Sequence, residues 1–109
     1  MILVTGCTGY IGFHICEFLE LKRLPYFGID NFSRSHSKNI INKKKFLKTD
    51  INSKIISSLV SSKKIHTVIH AAAFVDDACN LYLFECRKVI SLIEAEFKSV
   101  ISKIFIFLL

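Results

Sequence analysis

Hydrophobic and polar positions alternate along this chain in blocks that read as strand, helix, strand from end to end. Ile2-Leu3-Val4 is a short apolar run of strand type. After a glycine-rich stretch, Ile11, Ile15, Phe18 and Leu19 recur at helical spacing; the segment ends in Lys22 and Arg23 and is stopped by Pro25. Tyr26-Phe27-Gly28-Ile29-Asp30 predicts a second strand. A polar loop follows from Asn31 to Ser37, then a weakly helical or irregular stretch to Lys45, and Phe46-Leu47-Lys48 predicts a third strand. Asn52 or Ser53 is placed to cap a helix carrying Ile55, Ile56, Leu59 and Val60, which Ser61-Ser62-Lys63-Lys64 ends. Thr67 to His70 predicts a fourth strand. A helix over roughly 79–99, with Leu81, Phe84, Val89, Leu92 and Phe97 on one face, leads to a fifth strand from Ile104 to Leu109.

Such alternation is the signature of an α/β fold with three layers. It predicts a doubly wound, Rossmann-like parallel sheet of about five strands with right-handed crossovers and strand order 3-2-1-4-5. No short-period repeat and no linker interrupts it.

The stretch between the first strand and the first helix reads Gly6-x-x-Gly9-x-x-Gly12. Gly6 suits a tight turn needing positive φ. Gly9 leaves the backbone bare for close approach of a pyrophosphate, and Gly12 lets the helix pack closely. The N–H groups at the helix start hold the anion, helped by the helix dipole. A glycine triplet alone is weak, but here it sits in the strand–turn–helix context that the chemistry requires. Asp30 ends the second strand eighteen residues after Gly12. A carboxylate there accepts hydrogen bonds from ribose hydroxyls and repels a 2′-phosphate, which favours NAD. Arg34, close by in the loop, leaves NADP open.

Composition changes this picture little. The 109 residues are 51% hydrophobic, which suits one modest core. The longest apolar run, Ile104 to Leu109, is too short to span a bilayer, and no secretory signal is evident, so cytoplasm is the default and no membrane role is expected. Cys7, Cys16, Cys79 and Cys86 have no metal-site spacing; Cys7 fits a turn that wants a small side chain, and Cys16 and Cys86 read as small core hydrophobes. The net charge of +6, with a cluster at Lys43-Lys44-Lys45, raises a nucleic-acid role. The lysines spread along the chain without a recognised motif, so a solvated surface is the expectation and nucleic acid is not.

Four motifs together resemble the NAD-dependent epimerase/dehydratases of nucleotide sugars, within the extended short-chain dehydrogenase/reductases, with the UDP-sugar 4-epimerases as the nearest likeness. They are Val4-Thr5-Gly6-Cys7-Thr8-Gly9-Tyr10-Ile11-Gly12, Asp30-Asn31-Phe32-Ser33, Asp50-Ile51, and Val68-Ile69-His70-Ala71-Ala72-Ala73. The resemblance implies that Gly6, Gly9, Tyr10, Ile11 and Gly12 cradle the pyrophosphate. Asp30 and Asn31, with Ser33 in the same motif, would face the adenosine ribose. Asp50 would take the adenine amino group while Ile51 packs on the ring, and Ala71, Ala72 and Ala73 would line the path to the nicotinamide. His70 is expected to be structural.

The chain also departs from that pattern. Where the family places an Asn and a Gly-Thr before its fifth strand, this sequence has Glu85 and Lys88-Val89, and Phe74-Val75 stands where a lysine often follows the alanines. The family's Tyr-x-x-x-Lys pair is missing: Tyr10, Tyr26 and Tyr82 are followed four residues later by His14, Asp30 and Cys86. The expectation is a partial NAD-binding domain over residues 1–109 with no substrate domain and no catalytic residue, inactive alone. The alternatives are a non-catalytic NAD-binding module, or a subunit completed by another copy or another chain through an apolar last strand left at a sheet edge.

Overall fold

The computed structural model of the protein describes residues 1–72 and the backbone of residues 103–106. Its strands are β1 (Ile2–Thr5), β2 (Tyr26–Asp30), β3 (Phe46–Lys48), β4 (Thr67–His70) and β5 (Lys103–Ile106), and its helices are α1 (Tyr10–Leu21) and α2 (Ile55–Ser62). All five strands are parallel and lie in the order β3-β2-β1-β4-β5, as the sequence predicts. β1 is therefore central: Leu3 stands between Phe27 of β2 and Val68 of β4. The expected helix over 79–99, together with Ala73, Phe74-Val75, Cys79, Glu85, Cys86 and Lys88-Val89, lies outside the described residues. β5 begins one residue earlier than expected.

Alternating side chains split the core into two layers, as the period of a pleated strand requires. On one face Leu3, Phe27, Ile29 and Val68 pack with Ile56, Leu59 and Val60 of α2 and with Ile65. On the other, Val4 and Tyr26 pack with Cys16 and Leu19 of α1 and with Cys7. The helices thus cover opposite faces, which gives the three layers.

Within the helices, two residues at helical spacing lie outside the core and one expectation, the capping of α2 by Asn52 or Ser53, needs correction. Phe18 is exposed, not core: α1 turns Gly12, Cys16 and Leu19 inward, and the Lys22 ammonium lies over the Phe18 ring at 5.8 Å. Ile55 is likewise exposed at the start of α2, which buries Ile56, Leu59 and Val60. The cap residue of α2 is Lys54, with no side-chain cap; Ser53 Oγ still accepts the Ile55 N–H at 3.4 Å.

Both helices end by the same device, and neither uses glycine. After α1 the Leu24 N–H reaches the Leu19 carbonyl and the Arg23 N–H reaches Glu20, with Arg23 at φ +54°. After α2 the Ile65 N–H reaches Val60 and the Lys64 N–H reaches Ser61, with Lys64 at φ +52°. These are Schellman closures, in which a left-handed residue satisfies the last carbonyls and drops an apolar residue back onto the helix. They deliver the chain directly into β2 and β4. The stretch between Asn31 and Lys45 is irregular except for two short 3-10 turns, Ser37–Asn39 and Lys43–Lys45.

Candidate functional site

The carboxyl ends of β1, β2 and β4 converge on the turn from Gly6 to Gly9, and most of the sequence-predicted residues gather there. Gly6 has φ +67°, and a Cβ on it would lie 2.6–2.7 Å from the backbone of Ala71 and Ala72. A side chain would therefore meet both the conformational cost and the end of β4. At Gly12 a Cβ would lie 1.9 Å from the Gly6 carbonyl oxygen, so its lack of a side chain seats α1 on the turn itself.

Gly9 differs from both. Its φ of −73° and ψ of 172° suit any residue, and among the described residues a Cβ there would meet only the Gly6 oxygen at 3.4 Å, an ordinary contact. Nothing among the described residues asks for glycine at this position. Gly9 caps α1, whose first internal hydrogen bond runs from the Phe13 N–H to the Gly9 carbonyl at 2.8 Å. The Tyr10, Ile11 and Gly12 N–H groups precede that bond and have no acceptor within the helix. Among the described residues no side chain caps them, and the first turn carries no acid. This end of α1 is a backbone cradle for an anion. The Tyr10 ring points to solvent, edge-on to His14 with centroids 5.0 Å apart.

Thr8, which sequence reasoning passed over, lashes the turn to the loop after β2. It is fully buried; its N–H donates to Asp30 Oδ2 at 3.1 Å, its hydroxyl bonds the Ser35 hydroxyl, and its carbonyl accepts the Asn39 amide at 3.0 Å. Asp30 is the hub of this arrangement. Its Oδ1 accepts the Phe32 N–H at 2.9 Å and the Ser35 hydroxyl at 3.5 Å. Three donors thus hold the carboxylate, and a carboxylate has about four acceptor positions, which leaves room for a hydroxyl ligand. Phe32 takes φ +60°, unusual for a bulky residue, and stacks on Phe46 at 5.4 Å.

The acidic side continues along the surface. Asn31 donates to Asp50 Oδ2 at 3.1 Å and accepts the Ser33 N–H at 2.9 Å. Asp50 Oδ1 takes the Asn52 N–H at 2.8 Å and its side-chain amide at 3.0 Å. These donors, the Asn52 backbone N–H first, hold the Asp50 carboxyl below the usual carboxylate range. Ile51 is half-buried against the core. Asn31, next to Asp30 in the chain, thereby links it to Asp50 in one neighbourhood.

Behind the turn, Ala71 donates to the Thr5 carbonyl at 3.1 Å, and the Ala72 N–H approaches Thr5 Oγ1 at 3.4 Å. Thr5 Oγ1 also shares a hydrogen bond with His70 Nδ1, 2.6 Å away. The other ring nitrogen, Nε2, is buried and has no partner among the described residues. Burial pushes the His70 pKa down and keeps the ring neutral, in keeping with the structural role expected of it. The buried Cys7 thiol is also unsuited to chemistry: the Cys16 thiol beside it, and then burial, push its pKa up. Among the described residues no group of His, Cys, Asp and Glu could hold a metal ion, and no helix is long and apolar enough to cross a membrane.

A model of the NAD dependent epimerase/dehydratase family matches residues 2–82. Over 73 residues the chain is 37% identical to a Methanocaldococcus jannaschii protein named as a candidate UDP-glucose 4-epimerase, covering 67% of this chain and 24% of that protein. Among solved structures, the Thermus thermophilus UDP-glucose 4-epimerase in complex with NAD superimposes with a TM-score of 0.77 at 26% identity, over 94% of this chain and 35% of that one. The Stenotrophomonas maltophila UDP-glucose-4-epimerase, crystallised with NAD and formylated UDP-arabinopyranose, gives a TM-score of 0.81 at 20% identity, over 96% and 35%, and at that identity it speaks for the fold alone. This chain thus spans about a quarter of the length of the curated relative and about a third of the solved ones. On the strength of the family match and the 37% identity, the chain belongs to the NAD-dependent epimerase/dehydratase family.

Proposed function

We propose that these residues form the NAD-binding part of a nucleotide-sugar epimerase or dehydratase of the UDP-glucose 4-epimerase type, and that they carry no chemistry alone. The observation that carries the reading is Gly9: a bare backbone that the fold does not require, at the mouth of a helix whose first N–H groups lack acceptors. A pyrophosphate approaching that backbone is what makes the missing Cβ useful. The Tyr10, Ile11 and Gly12 N–H groups bind the phosphates, with Gly6 making the turn. The spare acceptor capacity of Asp30 takes the adenosine ribose, with Asn31 and Ser33 alongside. Asp50, held ionised by its amide donors, accepts from the adenine amino group over Ile51. Ala71 and Ala72, and Ala73 by sequence resemblance, keep the path to the nicotinamide open.

When bound, NAD supplies the hydride acceptor of the family's chemistry. This chain's own part is to bind and orient it, since the sequence holds no Tyr-x-x-x-Lys to move the sugar hydroxyl proton. The charge of Asp30, set where a 2′-phosphate would lie, favours NAD over NADP.

The reading is tested by calorimetric titration of the full chain with NAD and with NADP, beside an assay for UDP-galactose formed from UDP-glucose. NAD binding stronger than NADP binding, without turnover, is the expected result. No heat with NAD would overturn the binding site. UDP-galactose formed by the chain and absent from a mock purification would overturn the claim that it lacks the chemistry.

A further inference from the structure

At the amino ends of β1 and β2, the end of the sheet opposite the glycine turn, lies an open cleft of about 380 Å³. Arg23, Lys44, Lys45 and Lys63 line it, against a single acid, Glu20. Four cations and one anion leave three positive charges facing one concavity, and such clefts concentrate anions.

The cations are set in place by different means. Lys45 is ion-paired to Glu20 at 3.0 Å and lies over the Tyr26 ring at 4.8 Å. Lys63 lies over the Phe27 ring at 4.9 Å. The Arg23 and Lys44 side chains have no partner among the described residues. Arg23 and Lys63 also sit at the ends of α1 and α2, where a cation suits the helix dipole. That explanation does not reach Lys44 and Lys45, which come from the 3-10 turn before β3. Nor does it explain Arg23 in a left-handed closure position that glycine fills more easily.

We propose that this cleft binds a linear oligophosphate. Three net charges and a volume well above that of one phosphate fit a chain of phosphates. The aromatic walls do not offer a platform for a base, because Tyr26 and Phe27 are buried and lysines cover their rings. Stacking, which single-stranded nucleic acid uses, is therefore not available here. The site is independent of the glycine turn, which takes its anion at the other end of the sheet.

The test is calorimetric titration of the full chain with sodium tripolyphosphate at low salt. It is repeated on the double variant Arg23→Gly with Lys44→Gln, on Gly9→Val, and with a single-stranded oligonucleotide in place of the tripolyphosphate. Glycine at position 23 suits the left-handed closure, so the double variant loses charge without losing the helix end, and its thermal unfolding checks this. The proposal expects one site whose affinity falls by about tenfold or more in the double variant, as charge-assisted contacts to phosphate are lost, and is unchanged in Gly9→Val. Absence of binding, equal binding by the double variant, or loss of binding in Gly9→Val would each overturn it. So would an oligonucleotide bound more tightly than tripolyphosphate, which would make the cleft a nucleic-acid surface.

Discussion

Gly12 and Gly9 stand three residues apart on the same turn, yet the fold treats them oppositely. At Gly12 an added Cβ would be driven to 1.9 Å from the Gly6 carbonyl oxygen; at Gly9 it would touch that same oxygen at an ordinary 3.4 Å. The inner edge of the turn is therefore shaped by the protein's own backbone, and on the proposed function the outer edge is shaped by the ligand that approaches it. On that proposal, identical residues in one motif answer two separate demands, one on stability and one on binding. Substitutions separate the two.

The largest expected effect lies on the inner edge. Gly12→Ala forces α1 away from the turn, and overpacking of this kind costs about 1–3 kcal/mol or more. Urea unfolding should show the variant severely destabilised or unfolded; a stability equal to the parent chain would mean that the close approach of α1 to Gly6 is not a constraint. Asp30→Asn comes next, and it joins the two edges. It removes the charge that the Thr8 and Phe32 N–H groups and the Ser35 hydroxyl share, at a cost of about 1.5–3 kcal/mol for hydrogen bonds to a charged group. Unlike Gly12→Ala, it should also weaken NAD binding in whatever fraction remains folded. A variant with full stability and reduced affinity would make Asp30 a ligand only.

The smallest effect is on acid sensitivity. Burial lowers the folded-state pKa of His70 below the ordinary value of about 6.5. The neutral ring is the folded form, so its contribution is fully present above that unfolded value. It is lost as pH falls from about 6.5 towards the folded pKa, because the unfolded chain takes up the proton first. Denaturant unfolding should show stability falling over that window. Asp50, with its carboxyl depressed by Asn52 and Asn31, adds a loss only at lower pH, and a modest one for so exposed a group. A flat profile between pH 7 and 5 would contradict the buried neutral imidazole.

What sequence could convey follows the same division. The strand order and the convergence of Gly6, Asp30, Asp50 and Ala71 were readable because each depends on local spacing within a strand–turn–helix unit. Thr8, Ser35 and Asn39 were not, since their bonds span 27 and 31 residues and no pattern along the chain marks them. The helix ends were readable in place, at Lys22-Arg23 before Pro25 and within the Ser61-Ser62-Lys63-Lys64 run, but not in mechanism. Their closures rest on left-handed Arg23 and Lys64, positions where the usual glycine signal is absent. Phe18 and Ile55 have helical spacing, yet the inward arcs of α1 and α2 go to Cys16 and Leu19 and to Ile56, Leu59 and Val60. An apolar residue at the right period marks a helix more surely than it marks the buried face.

The claim that the outer edge of the turn is a cofactor surface is tested most directly by thermal unfolding of the parent chain and of Gly9→Val, each with and without excess NAD. Without NAD the two should unfold alike, because the backbone at position 9 suits valine and its Cβ meets, among the described residues, only the Gly6 oxygen at an ordinary distance. With NAD at a hundredfold excess over its dissociation constant, the parent chain should gain about 2.7 kcal/mol and the variant nothing. A parent chain indifferent to NAD, or a variant stabilised as much as the parent, would contradict the account.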